Sequence, residues 1–394
     1  MIFVNYFNDL LKKYNLNIDE LIILILAFTI FLPFYISVVS LNIVFFYLLS
    51  SGKIINVIKS TKYSKNIFLF LLFTFVVAIC NKNMYGIGVS VILFQFVIFF
   101  MYYRMIINRI LFSKIINLYM IVSAFCFLIT IVSVLYKKFI YNLDFYEFID
   151  FLSLHRPVSS FFNTNYYATI CEFIIIIAMY YFLSNKNKNN RLYFLFVSAL
   201  SFVVLFLTEN RTALPTILIA TLVLSLSKKN KKVLVFVAIL SVVIIALTIF
   251  SNRIFPRYEF IANSMDSRMI IWKNSISLFK RKFLFGSGPM AYQNAQFVSY
   301  PANHAHNILL DVLINFGIVG IIIVSPIFLS ICRIVYNIKH KNLFRLVLAL
   351  TSIVVLHGML DVTILWHQCA FIYLSVILAV GKIGSFKLKF IFRS

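Results

Sequence analysis

Residues 116–136, INLYMIVSAFCFLITIVSVLY, run for twenty-one positions without a charge. A helix needs about 20 predominantly apolar residues to cross the hydrocarbon core of a bilayer, so this stretch reads as a transmembrane span. Similar runs precede it at 20–33, 35–50, 67–81 and 86–103, the first two divided at Pro33. Others follow at 165–184, 192–208, 211–227, 233–250, 309–335, 344–361 and 365–382. The pattern predicts an all-α polytopic membrane protein of about twelve transmembrane helices. Of the 394 residues, 62% are hydrophobic and 12% charged, against about 25% charged in soluble proteins. The spans leave no room for a separate soluble domain, so residues 1–394 read as a single integral membrane domain.

Charge sets the expected orientation. With both termini cytoplasmic, 24 of the 36 Lys and Arg residues fall in cytoplasmic segments, as the positive-inside bias requires. Topology and the anionic leaflet account for most of the net charge of +24, so no nucleic-acid partner is inferred. The first twenty residues carry Asp9, Lys12, Lys13, Asp19 and Glu20. They lack the apolar core and small-residue cleavage site of a signal peptide, and the first span is expected to be retained. Cys80, Cys126, Cys171, Cys332 and Cys369 show no metal or redox spacing and read as small buried hydrophobes.

Two segments then face outward, about 137–164 and 251–308. In the first, Asp144, Glu147 and Asp150 suit a helix face as well as a cation site. The second holds Arg253, Arg257, Arg268, Lys273, Lys280, Arg281 and Lys282 against only Glu259 and Asp266. Outward positive charge runs against the topology bias. Two explanations stay open: an anionic ligand such as phosphate, or an amphipathic helix resting on lipid headgroups.

Charged groups within or beside spans are costly and tend to serve function. Here they are Glu172, Glu209, Arg211, Asp311 and Asp361, joined by His357 and His367. Arg211, in the turn Thr208-Glu209-Asn210-Arg211-Thr212, offers a planar fork to a phosphate, or else an ion pair to Glu209. His304 and His306 stand at the end of the basic loop, and a neutral imidazole there can take a proton from a hydroxyl near pH 7. On a helix, Asn307 and Asp311 share one face, and Gly317 and Gly320 allow close helix contact. His357, Asp361 and His367 flank the last outward turn, where structural hydrogen bonding is the simpler role and support of the site the other. The chain has no phosphate-cradling glycine loop, no His-Glu-x-x-His zinc signature and no Asp-x-Asp pair.

These residues together resemble a known family. Thr208 to Leu214 is similar to the Arg-bearing turn of the O-antigen ligase and polymerase superfamily. Asp266-Ser267-Arg268 through Trp272, then Phe285-Gly286-Ser287-Gly288-Pro289, resembles its large outer-loop signature. His304-Ala305-His306-Asn307 with Gly317 to Gly320 resembles its His-Asn element, Gly358 to Trp366 its last-turn pattern, and Phe161 to Asn165 the start of its sixth span.

The resemblance implies a GT-C-like integral-membrane glycosyltransferase, metal-independent and inverting, without a cofactor. Its site would lie on the outer face of the bacterial inner membrane. Its donor would be an undecaprenyl-diphosphate-linked oligosaccharide, and its acceptor a hydroxyl of a growing glycan or of the lipid A core. Membrane lipids and a chain-length regulator would be partners. Arg211 and Arg268 would then hold the diphosphate, and His306 would position or deprotonate the acceptor. Glu209, Asn307, Asp311 and Asp361 would support them; Arg253, Arg257, Lys280, Arg281, Lys282 and His304 would contact substrate or headgroups.

A loop of about 50 residues is short for docking a lipid A core, which favours polymerisation of O-antigen or capsular repeat units over ligation. A flippase or transporter for lipid-linked sugars is the rival from another class. It should show internal repeats and broken helices at the midplane, and residues 1–190 do not correspond to 191–394.

Overall fold

The computed structural model describes residues 16–210, 212–226, 261–297 and 299–383. The predicted span 233–250, together with Arg211, Arg253 and Arg257, lies outside them. The described residues are all-helical, without a strand. In order the helices are α1 (Ile18–Thr29), α2 (Phe34–Ser50), α3 (Lys53–Ser60), α4 (Ser64–Cys80), α5 (Met84–Ile106), α6 (Arg109–Ile140) and α7 (Phe145–Leu154). They continue as α8 (Thr164–Ser184), α9 (Lys188–Leu207), α10 (Ala213–Ser225), α11 (Ile261–Arg281), α12 (Ala291–Asn294), α13 (Ile308–Tyr336), α14 (Lys341–Gly358) and α15 (His367–Ile383).

Each of the other eleven predicted spans coincides with one of these helices. Six of the described helices are long and apolar enough to cross a membrane, or seven if α2 and α3, bent by 95° at their junction, count as one. Among the remainder, α2 and α4 match or exceed the runs read in the sequence, and α10 falls short of its run. At 13 residues, α10 is about 20 Å long and does not reach across a core of about 30 Å. Pro33 divides α1 from α2 as expected, standing at the N-cap of α2, where its missing N–H costs no hydrogen bond.

The bundle is built around α8, whose residues from Tyr166 to Ala178 are all buried. Carboxylates in the 137–164 segment serve the local fold. Asp144 accepts from Glu147 N while Glu147 accepts from Asp144 N, a reciprocal cap that starts α7. Cys171 and Cys369 are buried as expected, whereas Cys80 and Cys332 are exposed.

Gly317 docks the basic loop onto α13. Gly317 (φ 59°, ψ −170°) breaks that helix, freeing carbonyls that would otherwise be bonded within it. Ser287 N and Gly288 N donate to the carbonyls of Ile314 and Asn315 at 2.9 Å each, and Ile318 N donates to Phe283 O at 3.0 Å. A Cβ on Gly317 would lie 2.5 Å from Leu284 O. Sequence reasoning expected Gly317 and Gly320 to serve helix contact alone. That holds for Gly320, where a Cβ would strike Phe73 of α4, but Gly317 is a hinge that admits a loop.

Candidate functional site

The ends of helices far apart in sequence meet at one end of the bundle. Asn307 caps α13: its Oδ1 accepts from Leu309 N and Leu310 N, and its Nδ2 donates to Met359 O at 3.2 Å, tying in the turn after α14. Asp311, one turn into α13, accepts from Ala305 N at 3.0 Å and from Asn315 Nδ2 at 2.7 Å. These bonds fold the His304–Asn307 segment back over the helix start. His306 takes a left-handed backbone (φ 49°), which a non-glycine residue adopts at a cost. The two imidazoles stand 4.3 Å apart, centroid to centroid.

Both imidazoles face the same carboxylate. Asp361, brought in by the end of α14, sets its Oδ1 3.3 Å from His304 Nε2 and 3.4 Å from His306 Nδ1. Its Oδ2 accepts from Asn165 Nδ2 at the start of α8. Among the described residues, His306 Nδ1 and Asp361 Oδ1 are buried atoms without a well-directed hydrogen bond; the contact is close but not aligned.

Burial alone would raise the Asp361 carboxyl, but His306, His304 and His357 together hold it well below the usual carboxylate range. Burial pushes the His304 imidazole below its ordinary 6.5, against the opposing pull of Asp361. Asp361 is therefore charged and His304 neutral at pH 7.

The bonding pattern assigns the tautomers. His304 Nδ1 accepts from His306 N at 3.2 Å, so the proton of neutral His304 sits on Nε2, facing Asp361. His306 presents Nδ1 to the same oxygen, which turns its Nε2 away from the carboxylate. A carboxylate behind one nitrogen and a lone pair on the other is the arrangement a general base requires.

His304, His306 and Asp361 also form a donor set whose ligand atoms lie within 4.8 Å of one another, the spacing of a metal site. Binding a cation through His304 Nε2 would force its proton onto Nδ1, against the His306 N–H already pointing there.

Arg268, half-buried on α11, belongs to the same neighbourhood. Burial lowers its guanidinium from the ordinary value, and the Asp361 charge works in the opposite direction; it remains charged. Lys280, Arg281 and Lys282 lie at the far end of α11, about 18 Å along the helix from Arg268, and are exposed. Lys282 lines an open cavity of about 330 Å³ with Lys82 and Ser287, separate from the His–Asp cluster.

A buried polar chain supports the site from below. Glu172 and His357, both fully buried, pair at 3.0 Å. Sequence reasoning flagged both but did not join them; it quoted Asn210 only as part of the Arg211 turn and did not single out Arg156. The available signal was the spacing of Asn165, Thr169 and Glu172, which places three polar groups on one face of an apolar helix.

The fold and the site together define a multi-pass membrane protein with a His–Asp–Arg cluster at one end of its bundle. A family model described as O-antigen ligase matches residues 196–325, about a third of the chain, spanning the Thr208–Thr212 turn, Arg268 and His304–Asn307. The match supports the O-antigen ligase and polymerase superfamily for this chain. No curated protein matches it.

Proposed function

We propose that this protein is a metal-independent, inverting glycosyltransferase acting on the outer face of the bacterial inner membrane. It transfers a glycan from undecaprenyl diphosphate to an acceptor hydroxyl, most simply joining O-antigen or capsular repeat units. The observation that carries the reading is the convergence of His304 and His306 on one oxygen of Asp361, with Arg268 near enough for the Asp361 charge to act on it.

In this reading the acceptor oxygen attacks the anomeric carbon from the face opposite the diphosphate. The new C–O bond forms as the old one breaks, and the diphosphate leaves with the bonding pair. The acceptor's proton passes to His306 Nε2, and Asp361 stabilises the resulting imidazolium. Arg268, with Arg211 from the 208–212 turn, meets the charge growing on the leaving phosphate. Such preorganised donors are worth roughly 3–4 kcal/mol each in comparable sites. Asn307 and Asp311 hold the imidazole segment in place, and Glu209 stands beside Arg211. Arg253, Arg257, Lys280, Arg281 and Lys282 steer donor or headgroups.

Ligation to a lipid A core is the second reading, favoured by the description of the matching family model. Purified protein given a defined lipid-diphosphate oligosaccharide, with and without core, separates the two. Chain growth without core supports polymerisation, and a single transfer that needs core supports ligation. No product in either arm defeats both.

A further inference from the structure

Asn165, the second residue of α8, touches three other chain segments at the site end of the bundle. Its Oδ1 accepts from Arg156 at 3.1 Å and from Asn210 Nδ2 at 3.1 Å, and its Nδ2 donates to Asp361 Oδ2. Arg156 is itself fixed by donating Nε–H to Thr208 O at 2.6 Å. One amide thus joins the segment before α8, the turn carrying Arg211 and the turn carrying Asp361.

The direction of every bond in this joint is determined. Thr212 N and Thr212 Oγ1 both donate to Asn210 Oδ1, at 3.0 and 2.7 Å, so the Asn210 amide must turn its NH₂ toward Asn165. A guanidinium has no acceptor, so Arg156 likewise needs oxygen on that side of Asn165. The NH₂ of Asn165 is left to face Asp361.

The next links are equally constrained. Thr212 Oγ1, having given its proton to Asn210, must accept from His357 Nε2 at 3.2 Å. Thr169 Oγ1 donates to Asn165 O and lies 3.3 Å from His357 Nδ1, whose single proton goes to the nearer Glu172 Oε2 at 3.0 Å. His357 therefore donates through Nε2 to Thr212 and through Nδ1 to Glu172, with Thr169 at most sharing the second proton. An unbroken, one-way run of hydrogen bonds leads from the buried pair through Asn165 to the carboxylate that both imidazoles face.

We infer that Asn165 is a positioning residue for the transfer reaction, holding the Asp361 carboxylate so that one oxygen stays turned to His306 while the Arg211 turn is locked in register. This rests on the glycosyl-transfer reading above. Asn165 touches no reacting atom in that reading; it acts through Asp361.

The test is Asn165→Asp in the full-length protein, with turnover and thermal stability followed across pH. The titratable and charged groups facing Asp361 are His304 and His306 from the segment before α13, Arg268 from α11, His357 from α14, Tyr166 from α8 and, through residue 165, Arg156. Asp311 lies behind His304. At neutral pH the new carboxylate loses the donated bond and repels Asp361. Once protonated, it can donate as the amide did.

Losing a hydrogen bond to a charged group corresponds to about 10–100-fold, so kcat at neutral pH should fall by that much with the KM for lipid donor little changed. Relative to the wild type at the same pH, the variant's turnover and melting temperature should both recover on acidification. A wild-type pH profile in the variant overturns the inference, as does a loss of turnover equal at every pH. If the variant does not survive extraction, Asn210→Asp removes the neighbouring donor; it should lower kcat alone, and an unchanged kcat overturns the inference. Absence of product from the wild-type protein defeats the glycosyl-transfer reading and this inference with it; product from the wild type with an unaffected variant defeats the inference alone.

Discussion

His306 Nδ1 lies 3.4 Å from Asp361 Oδ1, and the two residues come from segments separated by the whole of α13 and α14. The carboxylate fixes which imidazole nitrogen faces it and thereby frees the other. His304 reaches the same oxygen but presents a proton there, because its Nδ1 is engaged by His306 N. The two histidines are neighbours with different work.

His306→Ala should therefore lose most turnover, within the 10²–10⁴-fold usual for acid–base help, while binding of the lipid donor persists. His304→Ala should lose far less. Donor binding by equilibrium titration alongside single-turnover rates checks both. Loss of donor binding in His306→Ala would move that residue to the phosphate, and a dead His304→Ala would exchange the roles.

Arg268→Ala should cost about 10²–10³-fold in kcat, as removal of one preorganised donor does, with membrane insertion intact. Arg268→Lys should recover little, since an ammonium lacks the planar fork. Near-normal glycan from Arg268→Ala, scored by gel profile of the product, counts against its role at the diphosphate.

Glu172 and His357 form a buried pair whose members have no water to fall back on. Removing one partner of such a pair typically costs 3–5 kcal/mol, so Glu172→Ala and His357→Ala should each melt well below the wild type in detergent. The double variant to apolar residues should recover part of that loss. Wild-type melting in either single variant would show that the pair carries no structural charge.

Acidification should weaken the fold through His304. His304 stays neutral when folded because burial lowers its pKa, but in the unfolded chain it takes a proton below its ordinary 6.5. The unfolded state then binds more protons, so stability falls as pH drops below about 6.5 and is regained above it. The depressed Asp361 contributes stability above its ordinary 3.8 that is lost only at lower pH, so His304 contributes to the window between without owning it. His304→Gln should flatten the melting temperature from pH 6.5 to pH 5; an unaltered slope would assign the window to another group.

Much of this was legible in the sequence because it is local. Apolar runs mark helices, Pro33 ends one of them, and Asn307 beside a long apolar stretch marks the start of another. Asp361 stood out because charged groups at span edges are costly, and Arg268 and His306 because of the outward basic loop and its resemblance to a family signature. What could not be read is which of them meet. The Asn165 joint, the Glu172–His357 pair and the loop admitted at Gly317 all depend on contacts between segments far apart in the chain. The length of α10 was overestimated because the polar edges of the run, Thr212 among them, were counted into the span, whereas the helix runs from Ala213 to Ser225.

The most direct measurement is product stoichiometry with purified protein in chelator-treated buffer, using a defined undecaprenyl-diphosphate oligosaccharide as donor and acceptor. Mass spectrometry should find one undecaprenyl diphosphate released for each new glycosidic bond. The new linkage should be inverted at the anomeric carbon, and the rate should be unchanged by EDTA. Donor recovered intact, moved across a vesicle membrane with no bond formed, would contradict the account in favour of transport. Activity restored only by an added divalent cation would contradict metal independence.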